Sequence, residues 1–307
     1  MNKILVHECI GTDVYRMVIE APLIAKKRKA GQFVIVRNDD TAERIPLTIA
    51  DAHPETGTIT LIYQVVGKST AQFATREVGQ YLHDVVGPLG HPTDVRLYGT
   101  ALCVGGGIGK APLFPIAQAM KLAGNKVISV VGARGKDLII LEEEIRVVSD
   151  ELIVCTDDGS HGRKALVTVP IREILEREKV DICVAIGPTI MMKKVAELTK
   201  EFNVPTIVSL NSIMIDGTGM CGGCRVTVGG ETKFTCVDGP EFDGHKVDFD
   251  QLIKRLDAYK DQERVAMQRW EHRMEQDMEA RRERICRLQA EIDKARQAAV
   301  ESQPKAS

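Results

Sequence analysis

The chain has 307 residues, which at the usual ~150 residues per domain predicts about two domains with large cores and excludes collagen-like, disordered and small disulfide-rich proteins. Its 41 basic and 43 acidic residues give a net charge of -2, which provides no basic surface for nucleic acid or an anionic membrane. No apolar run approaches the ~18 residues of a membrane-spanning helix, and the first ten residues do not resemble a signal peptide. We therefore expect a cytoplasmic protein that binds no nucleic acid and inserts into no membrane.

Residues 1–97 predict an antiparallel β-barrel, because short runs of β-branched and aromatic residues recur between turn-forming residues. Two motifs in this region, R-I-P-L-T at 44–48 and L-I-Y-Q-V-V-G-K-S-T at 61–70, suit an FAD site. The arginine suits a phosphate, the backbone and a threonine hydroxyl suit a flavin ring, and the Gly-Lys-Ser-Thr turn suits a pyrophosphate. Each motif alone also fits a plain strand edge or a polar turn. No G-x-x-x-x-G-K frame precedes the turn, so it is not a P-loop.

Residues 98–205 predict an α/β domain with a parallel sheet. Continuous apolar strands alternate here with helix-like stretches such as 112–123 and 142–149, which indicates a sheet covered on both faces. The first strand ends in L-C-V-G-G-G-I-G-K-A-P at 102–112. Its glycines allow the backbone to approach a pyrophosphate, and the following helix directs its N-terminal amides toward that group.

The glycine motif alone is a weak dinucleotide signal. The usual G-x-G-x-x-G pattern fails at its last position, Lys110, and the second strand ends at Arg134 rather than at an acidic residue. Two later turns, T-D-D-G-S at 156–160 and I-G-P-T-I-M-M at 186–192, support the signal. Both follow apolar strands at the carboxyl edge of the sheet, where ligands bind in such folds.

Residues 206–250 predict a segment that needs a metal or cofactor to fold, because it is rich in glycine and has only brief strand signals. Asp216, Cys221, Cys224 and Cys236 stand at the spacing D-x4-C-x2-C-x11-C, which matches the frame of plant-type [2Fe-2S] ferredoxins if the aspartate replaces the first cysteine. Glycines between these residues permit the unusual torsions and the amide donors that a cluster loop requires. Structural zinc held by the three cysteines and His245 is the main alternative.

Residues 251–307 predict a charged helix that runs to about residue 300 and ends in a polar tail. Its apolar residues fall mostly three or four apart, which indicates one apolar stripe. The stripe fits a docking helix, a short coiled coil, or a helix that packs on its own protein near its start. Its members are Leu256, Tyr259, Met267, Trp270, Met274, Met278, Ile285, Leu288 and Ile292.

The order of these parts resembles the ferredoxin-NADP reductase superfamily: a barrel with the two flavin motifs, G-P-L-G at 87–90, the glycine-rich turn, and a cysteine-rich C-terminal segment. The fused segment is similar to that of the electron-transfer subunit of type-B dihydroorotate dehydrogenase, over residues 3–250. That subunit typically supplies four cysteines, whereas this chain has Asp216 at the first position. An Asp/Cys3 set resembles the small subunit of electron-bifurcating NADH-dependent reduced ferredoxin:NADP oxidoreductase.

The resemblance implies FAD, a [2Fe-2S] cluster, and NAD(H) as substrate, with NADP(H) as the alternative nucleotide. It also implies a large flavin and iron-sulfur subunit related to the small subunit of glutamate synthase, through which ferredoxin is reached. A flavin must lie between nicotinamide and cluster, because nicotinamide exchanges two electrons as hydride and a cluster accepts one. The resemblance therefore implies electron flow between NAD(H), FAD, the cluster and the partner.

The resemblance assigns roles only to residues that match its motifs. No general acid or base is expected, because hydride passes directly between rings. The expected flavin contacts are Arg44, Pro46, Leu47, Thr48, Tyr63, Gln64, Val65, Gly67, Lys68, Ser69 and Thr70. The expected nucleotide contacts are Gly105, Gly106, Gly107, Ile108, Gly109, Asp157, Asp158, Gly187 and Pro188. The expected cluster ligands are Asp216, Cys221, Cys224 and Cys236.

Three other functions fit the sequence. A dihydroorotate dehydrogenase electron-transfer subunit would use the same electron path with a different partner. A self-sufficient flavin reductase would reduce soluble ferredoxin or small acceptors without a bound partner. A zinc-stabilised nucleotide-binding module would need no flavin.

Overall fold

The computed structural model describes the backbone of residues 2–301 and the side chains of residues 2–279, 282 and 284. One compact unit ends at Ala258, and a second unit begins at Tyr259. The first unit contains a barrel-like antiparallel sheet, a parallel sheet and the cysteine-rich segment. Among the helices described, none is long and apolar enough to cross a membrane.

The N-terminal region forms the predicted antiparallel sheet, with seven strands, and it also contains two short helices that were not predicted. Its strands are β1 (Asn2–Gly11), β2 (Val14–Glu20), β3 (Phe33–Arg37), β4 (Arg44–His53), β5 (Thr58–Gln64), β6 (Tyr81–Leu82) and β7 (Asp84–Leu89). Its helices are α1 (Pro22–Lys27) and α2 (Lys68–Ala74). The strands lie in the order β6-β1-β2-β5-β4-β3-β7. The Gly-Lys-Ser-Thr motif, expected as a turn, therefore begins a helix at Lys68.

Side chains alternate between the two faces of this sheet, as the pleat requires. On β3, Val34 and Val36 are buried in the barrel core, whereas Phe33 and Ile35 belong to a separate cluster with the cysteines. The barrel core also contains apolar residues from five other strands and both helices, including Ile4, Met17, Ile19, Ile24, Ile49, Ile59, Leu61, Phe73 and Leu82. The barrel therefore has an apolar interior and, on the outer face of β3, a second apolar surface.

The second sheet is parallel except for its last strand. Its strands are β8 (Thr100–Gly106), β9 (Lys126–Ala133), β10 (Glu151–Thr156), β11 (Arg163–Lys164), β12 (Ile182–Ile186), β13 (Thr206–Ser209) and β16 (Glu241–Asp243). Its helices are α3 (Lys110–Leu122), α4 (Glu142–Val147), α5 (Thr168–Arg177) and α6 (Thr189–Glu201). The order β11-β10-β9-β8-β12-β13-β16 places the reversal of strand order between β8 and β12. Ligands of doubly wound folds bind at that point, beyond the carboxyl ends of the strands.

The parallel sheet continues past residue 205, which we expected as the end of the α/β domain. Strand β13 pairs with β12 in parallel, and β16 pairs antiparallel with β13, so that Ser209 lies opposite Glu241. The intervening segment contains β14 (Arg225–Val228), β15 (Glu231–Phe234) and α7 (Thr235–Asp238). The cysteine-rich segment is thus an excursion that leaves the parallel sheet and returns to it.

The single C-terminal helix of the prediction is two helices. Helix α8 (Phe249–Asp257) belongs to the first unit, and α9 (Lys260–Glu301) forms the second. On α9, Met267, Trp270 and Met274 are half-buried and Met278 is exposed. The stripe residues Ile285, Leu288 and Ile292 lie outside the described side chains.

Candidate functional site

The R-I-P-L-T motif forms the first half of β4, and the strand divides its side chains between two faces. Leu47 packs against the barrel core, so only its backbone remains for a ligand. The opposite face of the strand carries the side chains that alternate with Leu47, which are those of Arg44, Pro46 and Thr48. Residues Pro46 and Thr48 pair with Ile35 and Phe33 on β3, so these motif side chains share a face with the cysteine cluster.

Arg44 connects the motif to the cysteine-rich segment. Its Nε donates a hydrogen bond to the carbonyl oxygen of Ile215 at 3.1 Å, and an Nη lies 3.8 Å from an oxygen of Asp84. The adjacent Gly217 packs so closely on the barrel that an added Cβ would lie 2.7 Å from Cγ1 of Ile35. The proposed flavin motif and the proposed cluster loop are therefore direct neighbours.

The second barrel motif lies where two strands separate. In the part of the chain described, the pairing of β4 with β5 stops at Ile49 and Leu61. Residues 44–48 therefore do not pair with residues 62–64. Each segment pairs with a strand on its other side, β4 with β3 and β5 with β2, so the backbone groups that point into the gap between β4 and β5 are the ones left to contact a ligand. The Tyr63 side chain cannot contact such a ligand, because it is 2% exposed and its hydroxyl forms a hydrogen bond with Nε2 of His7 at 2.8 Å.

The residues of the Gly-Lys-Ser-Thr motif are tied to each other and to Glu43. Thr70 Oγ1 accepts hydrogen bonds from the backbone N–H groups of Val66 and Gly67, at 3.0 and 3.2 Å. The Ser69 hydroxyl donates to a carboxylate oxygen of Glu43, and the Lys68 ammonium lies 3.9 Å from the other oxygen. Glu43 directly precedes the R-I-P-L-T motif and was missed by the sequence prediction. It links the two barrel motifs.

The glycine-rich turn lies at the reversal of strand order. Strand β8 ends at Gly106, a single 3-10 turn covers Gly107–Gly109, and α3 begins at Lys110. Most of these glycines are required by packing: an added Cβ would lie 2.3 Å from Sδ of Met191 at Gly106 and 2.3 Å from the Ile186 carbonyl oxygen at Gly109. Gly107 alone in this turn has a positive φ, +55°, with nothing within 4 Å of an added Cβ.

The other predicted nucleotide contacts follow neighbouring strands. Gly187 lies so close to the turn that its added Cβ would be 3.0 Å from Cα of Gly106. Asp158 lies farther along the same edge, after β10, and its carboxylate accepts hydrogen bonds from the N–H and hydroxyl of Ser160 at 2.9 and 2.6 Å. These bonds lower the pKa of the Asp158 carboxyl. Asp157 donates its N–H to the carbonyl oxygen of Ala133, which joins this loop to the end of β9.

The four predicted cluster ligands occur as two pairs. Cys224 and Cys236 are buried, and their Sγ atoms lie 3.2 Å apart in the cluster with Phe33 and Ile35. Cys221 is exposed, and its thiol lies beside the backbone N–H of Asp216. A two-iron cluster takes two protein ligands on each iron. Asp216 with Cys221 would suit one iron, and Cys224 with Cys236 would suit the other.

Backbone amides surround the exposed pair. The N–H of Gly223, followed by that of Asp216, lowers the pKa of the Cys221 thiol, which favours the thiolate that binds iron. The Asp216 carboxylate accepts from the hydroxyl and N–H of Thr218 and the N–H of Met220. Amide donors directed at sulfur are a known means of tuning cluster potential. The donor set and its surroundings therefore fit an iron-sulfur cluster.

The zinc alternative is not supported by the position of His245. Its ring Nε2 lies 3.1 Å from Oγ1 of Thr199 on α6, and its backbone N–H donates a hydrogen bond to the carboxylate of Asp243. Within the described residues, no three His, Cys, Asp or Glu side chains converge to hold one metal ion.

Comparisons with known proteins agree with this site. Residues 211–248 match the family described as the iron-sulfur cluster binding domain of dihydroorotate dehydrogenase B. The chain is 49% identical over 270 residues to a dihydroorotate dehydrogenase B (NAD(+)) electron transfer subunit homolog of Thermotoga maritima, covering 88% of this chain and 95% of that protein.

Solved structures extend the likeness to the fold. A chain from the structure of NADH-dependent reduced ferredoxin-NADP oxidoreductase, described for flavin-based electron bifurcation, is 48% identical with a TM-score of 0.84 and covers 88% of this chain and 98% of that one. Phthalate dioxygenase reductase is 16% identical with a TM-score of 0.56, covers 74% of this chain and 86% of that chain, and shows the fold alone. The predicted reductase architecture is confirmed.

Proposed function

Because the chain belongs to the family of dihydroorotate dehydrogenase B electron transfer subunits and their homologues, we propose that it moves electrons between NAD(H), FAD, a [2Fe-2S] cluster and a partner subunit. The observation that carries this proposal is the contact of Arg44 with Ile215, because it joins the flavin motif to the cluster loop. FAD exchanges a hydride with a nicotinamide and single electrons with a cluster, and this is the chemistry it supplies when bound.

The barrel residues would hold FAD mainly through backbone groups and the outer face of β4. Arg44 provides a cation beside the phosphate-bearing ligand, and Thr48 provides a hydroxyl on the same face. The gap between β4 and β5 offers unpaired backbone donors and acceptors on both sides. Leu47 and Tyr63 take part through their main chain only, since their side chains pack in the barrel core.

The parallel sheet would hold NAD(H) at the reversal of strand order. The open position at Gly107 and the backbone of Ile108 would face the dinucleotide, while the packed glycines let β8, β12 and α6 approach each other. Asp157 and Asp158 line the edge beyond β10, and Gly187 with Pro188 lies beyond β12. NAD(H) rather than NADP(H) is proposed from the family likeness.

The partner is proposed to be a large flavin and iron-sulfur subunit related to the small subunit of glutamate synthase, with ferredoxin reached through that complex. Support comes from Asp216 at the first ligand position and from the 48% identity to a chain of the NADH-dependent oxidoreductase. A dihydroorotate dehydrogenase catalytic subunit is the second candidate, favoured by the 49% identity to the Thermotoga maritima homolog of its electron transfer subunit. Native co-purification with mass spectrometry separates the two. Recovery of the dihydroorotate dehydrogenase subunit instead would contradict the first proposal. A cytoplasmic location remains a prediction.

The test of the proposed function is the cofactor content of the full chain purified without oxygen. We expect about one FAD, two irons and two sulfides per chain, a flavin absorbance, and an EPR signal on reduction. Cys224→Ala should remove iron and sulfide while FAD remains, because the residues proposed to hold FAD lie between Arg44 and Thr70 and do not include the cysteines. Cys9→Ala, which removes an exposed thiol far from the cluster segment in sequence, should change neither. A colourless protein, or one that holds zinc, would contradict the proposal.

A further inference from the structure

Lys110 is a buried lysine at the nucleotide edge of the sheet. It is the first residue of α3, directly after the glycine-rich turn, and it is 0% exposed, which is rare for lysine. Its ammonium donates a long hydrogen bond of 3.3 Å to the carbonyl oxygen of Gly132. Because Gly132 pairs with Gly106, the ammonium lies below the ends of β8 and β9 and next to the turn.

Among the side chains that the structure describes, the positive charge of Lys110 has no negative partner. No ion pair among the side chains described includes it, and its pKa is lowered to about 8 by burial alone. A buried ammonium without a counter-charge is unfavourable, and an apolar side chain of similar volume would pack there without that cost. The position therefore provides positive charge that the folded chain leaves uncompensated.

The ionisable groups on the elements around α3 are neutral or engaged elsewhere. Cys103 on β8 and Cys183 on β12 are neutral, because burial raises the pKa of each thiol. The carboxylates of β4 and α4, two elements that lie against α3, have their own partners: Asp51 with His53, Glu142 with Arg146 and His161, Glu143 with Arg146, and Glu144 with Arg16.

We propose that Lys110 is a positioning residue whose buried positive charge is balanced by the diphosphate of the dinucleotide bound at the glycine-rich turn. This inference rests on the proposed function, which places a nicotinamide dinucleotide at that turn. The ammonium acts without touching the ligand, because a charge in a weakly polarisable interior is felt over several ångströms. A diphosphate is the matching anion, since the N-terminal amides of α3 attract the same group from the other side.

The experiment measures NADH affinity by calorimetry for Lys110→Met and the native protein, with the flavin-loaded full chain whose flavin has been reduced beforehand so that NADH binds without transferring a hydride. Methionine keeps the length and apolar stem but removes the charge. At pH 7 we expect binding to weaken about tenfold, the scale of one through-space charge interaction. Lys121→Met is the matched control, because it removes a lysine from the exposed end of the same helix, where it pairs with Asp150. That control should leave NADH affinity unchanged.

The second readout is the pH dependence of NADH affinity, together with the stability of the variant in urea. NADH affinity of the native protein should fall as pH rises through about 8, where Lys110 loses its proton, and this fall should be absent in Lys110→Met. The variant should also be at least as stable as the native protein in urea. A lysine that only pins the end of β9 would instead lower stability on removal and leave NADH affinity unchanged, and that result would overturn the inference.

A third measurement does not depend on the variant folding. ADP and adenosine are compared on the native protein from pH 7 to pH 9.5; ADP affinity should fall and adenosine affinity should not, since only ADP carries the diphosphate. Equal pH dependence of the two would overturn the role of Lys110 alone. Failure of the native protein to bind either NADH or ADP would overturn the proposed nucleotide site, and this inference with it.

Discussion

Glycine serves different physical needs in the two glycine-rich segments of this protein. At the end of β8 and in the turn that follows it, Gly105, Gly106 and Gly109 have no positive φ, but an added Cβ would lie within 2.9 Å of a neighbouring residue at each. In the cluster loop, Gly217 and Gly222 have φ values of +85° and +66°, which side chains rarely adopt. The turn is thus rich in glycine because secondary-structure elements meet there, and the loop because its backbone follows a left-handed path.

Among the substitutions that test this difference between the two segments, Gly109→Ala should lower the free energy of unfolding most. The new Cβ would lie 2.3 Å from the carbonyl oxygen and 2.6 Å from the carbonyl carbon of Ile186, and backbone cannot move aside as a side chain can. We expect the free energy of unfolding to fall by about 3 kcal/mol and NADH binding to be lost. Urea unfolding followed by circular dichroism measures the first. A loss below about 1 kcal/mol would show that packing is not the reason for glycine at this position.

Gly217→Ala should affect the cluster loop rather than the whole fold. Its Cβ would meet Cγ1 of Ile35 at 2.7 Å in addition to the strain of a positive φ, so we expect about 2 kcal/mol of local destabilisation and a clear loss of iron. Gly222→Ala is the matched variant, because it has the strain but no neighbour closer than 3.7 Å. Iron and sulfide analysis of both should show a greater loss at Gly217. Equal losses would mean that contact with the barrel is unimportant.

Asp216→Cys should leave the cluster in place and lower its midpoint potential. Thiolate and carboxylate carry the same charge, but thiolate donates more electron density and stabilises the oxidised cluster. We expect a shift of about 50 mV, close to a tenfold change in a one-electron equilibrium. A redox titration followed by EPR measures it. An unchanged midpoint would argue against ligation by Asp216.

Gly107→Asn should have the smallest effect on stability. Asparagine tolerates a positive φ, and nothing lies within 4 Å of the added Cβ, so the free energy of unfolding should change by less than about 1 kcal/mol. NADH affinity should nevertheless fall, because the side chain would enter the space proposed for the dinucleotide. Calorimetry at fixed pH tests this separation. Unaltered NADH binding would place the ligand elsewhere.

The sheets were predictable where the hydrophobic pattern was strong. Continuous apolar strands indicated the parallel sheet, and β-branched runs indicated the barrel. Weak or short patterns were not readable: α1 has only six residues, β13 has four, and β4 is interrupted by Pro46 and polar residues. The break before α9 was missed because no glycine or proline marks it.

The candidate site was predictable as residue types but not as contacts. Spacing indicated the four cluster ligands, since ligand separation along a chain is a local property. The bond from Arg44 to Ile215 joins residues 171 positions apart, which no spacing rule reveals. Alternation would have indicated that Leu47 and Tyr63 face the barrel core, once the strand bounds were known.

The pairing of Ser209 with Glu241 means that the iron-sulfur segment has its entry and exit side by side on one strand pair. Such a base lets a redox module be exchanged as a unit, because deletion of residues 211–239 and a short reverse turn in their place would preserve the hairpin of β13 and β16. A chain trimmed in this way would keep its barrel and its nucleotide sheet but lack an outlet for single electrons. It would therefore be limited to two-electron transfer between nicotinamide and flavin.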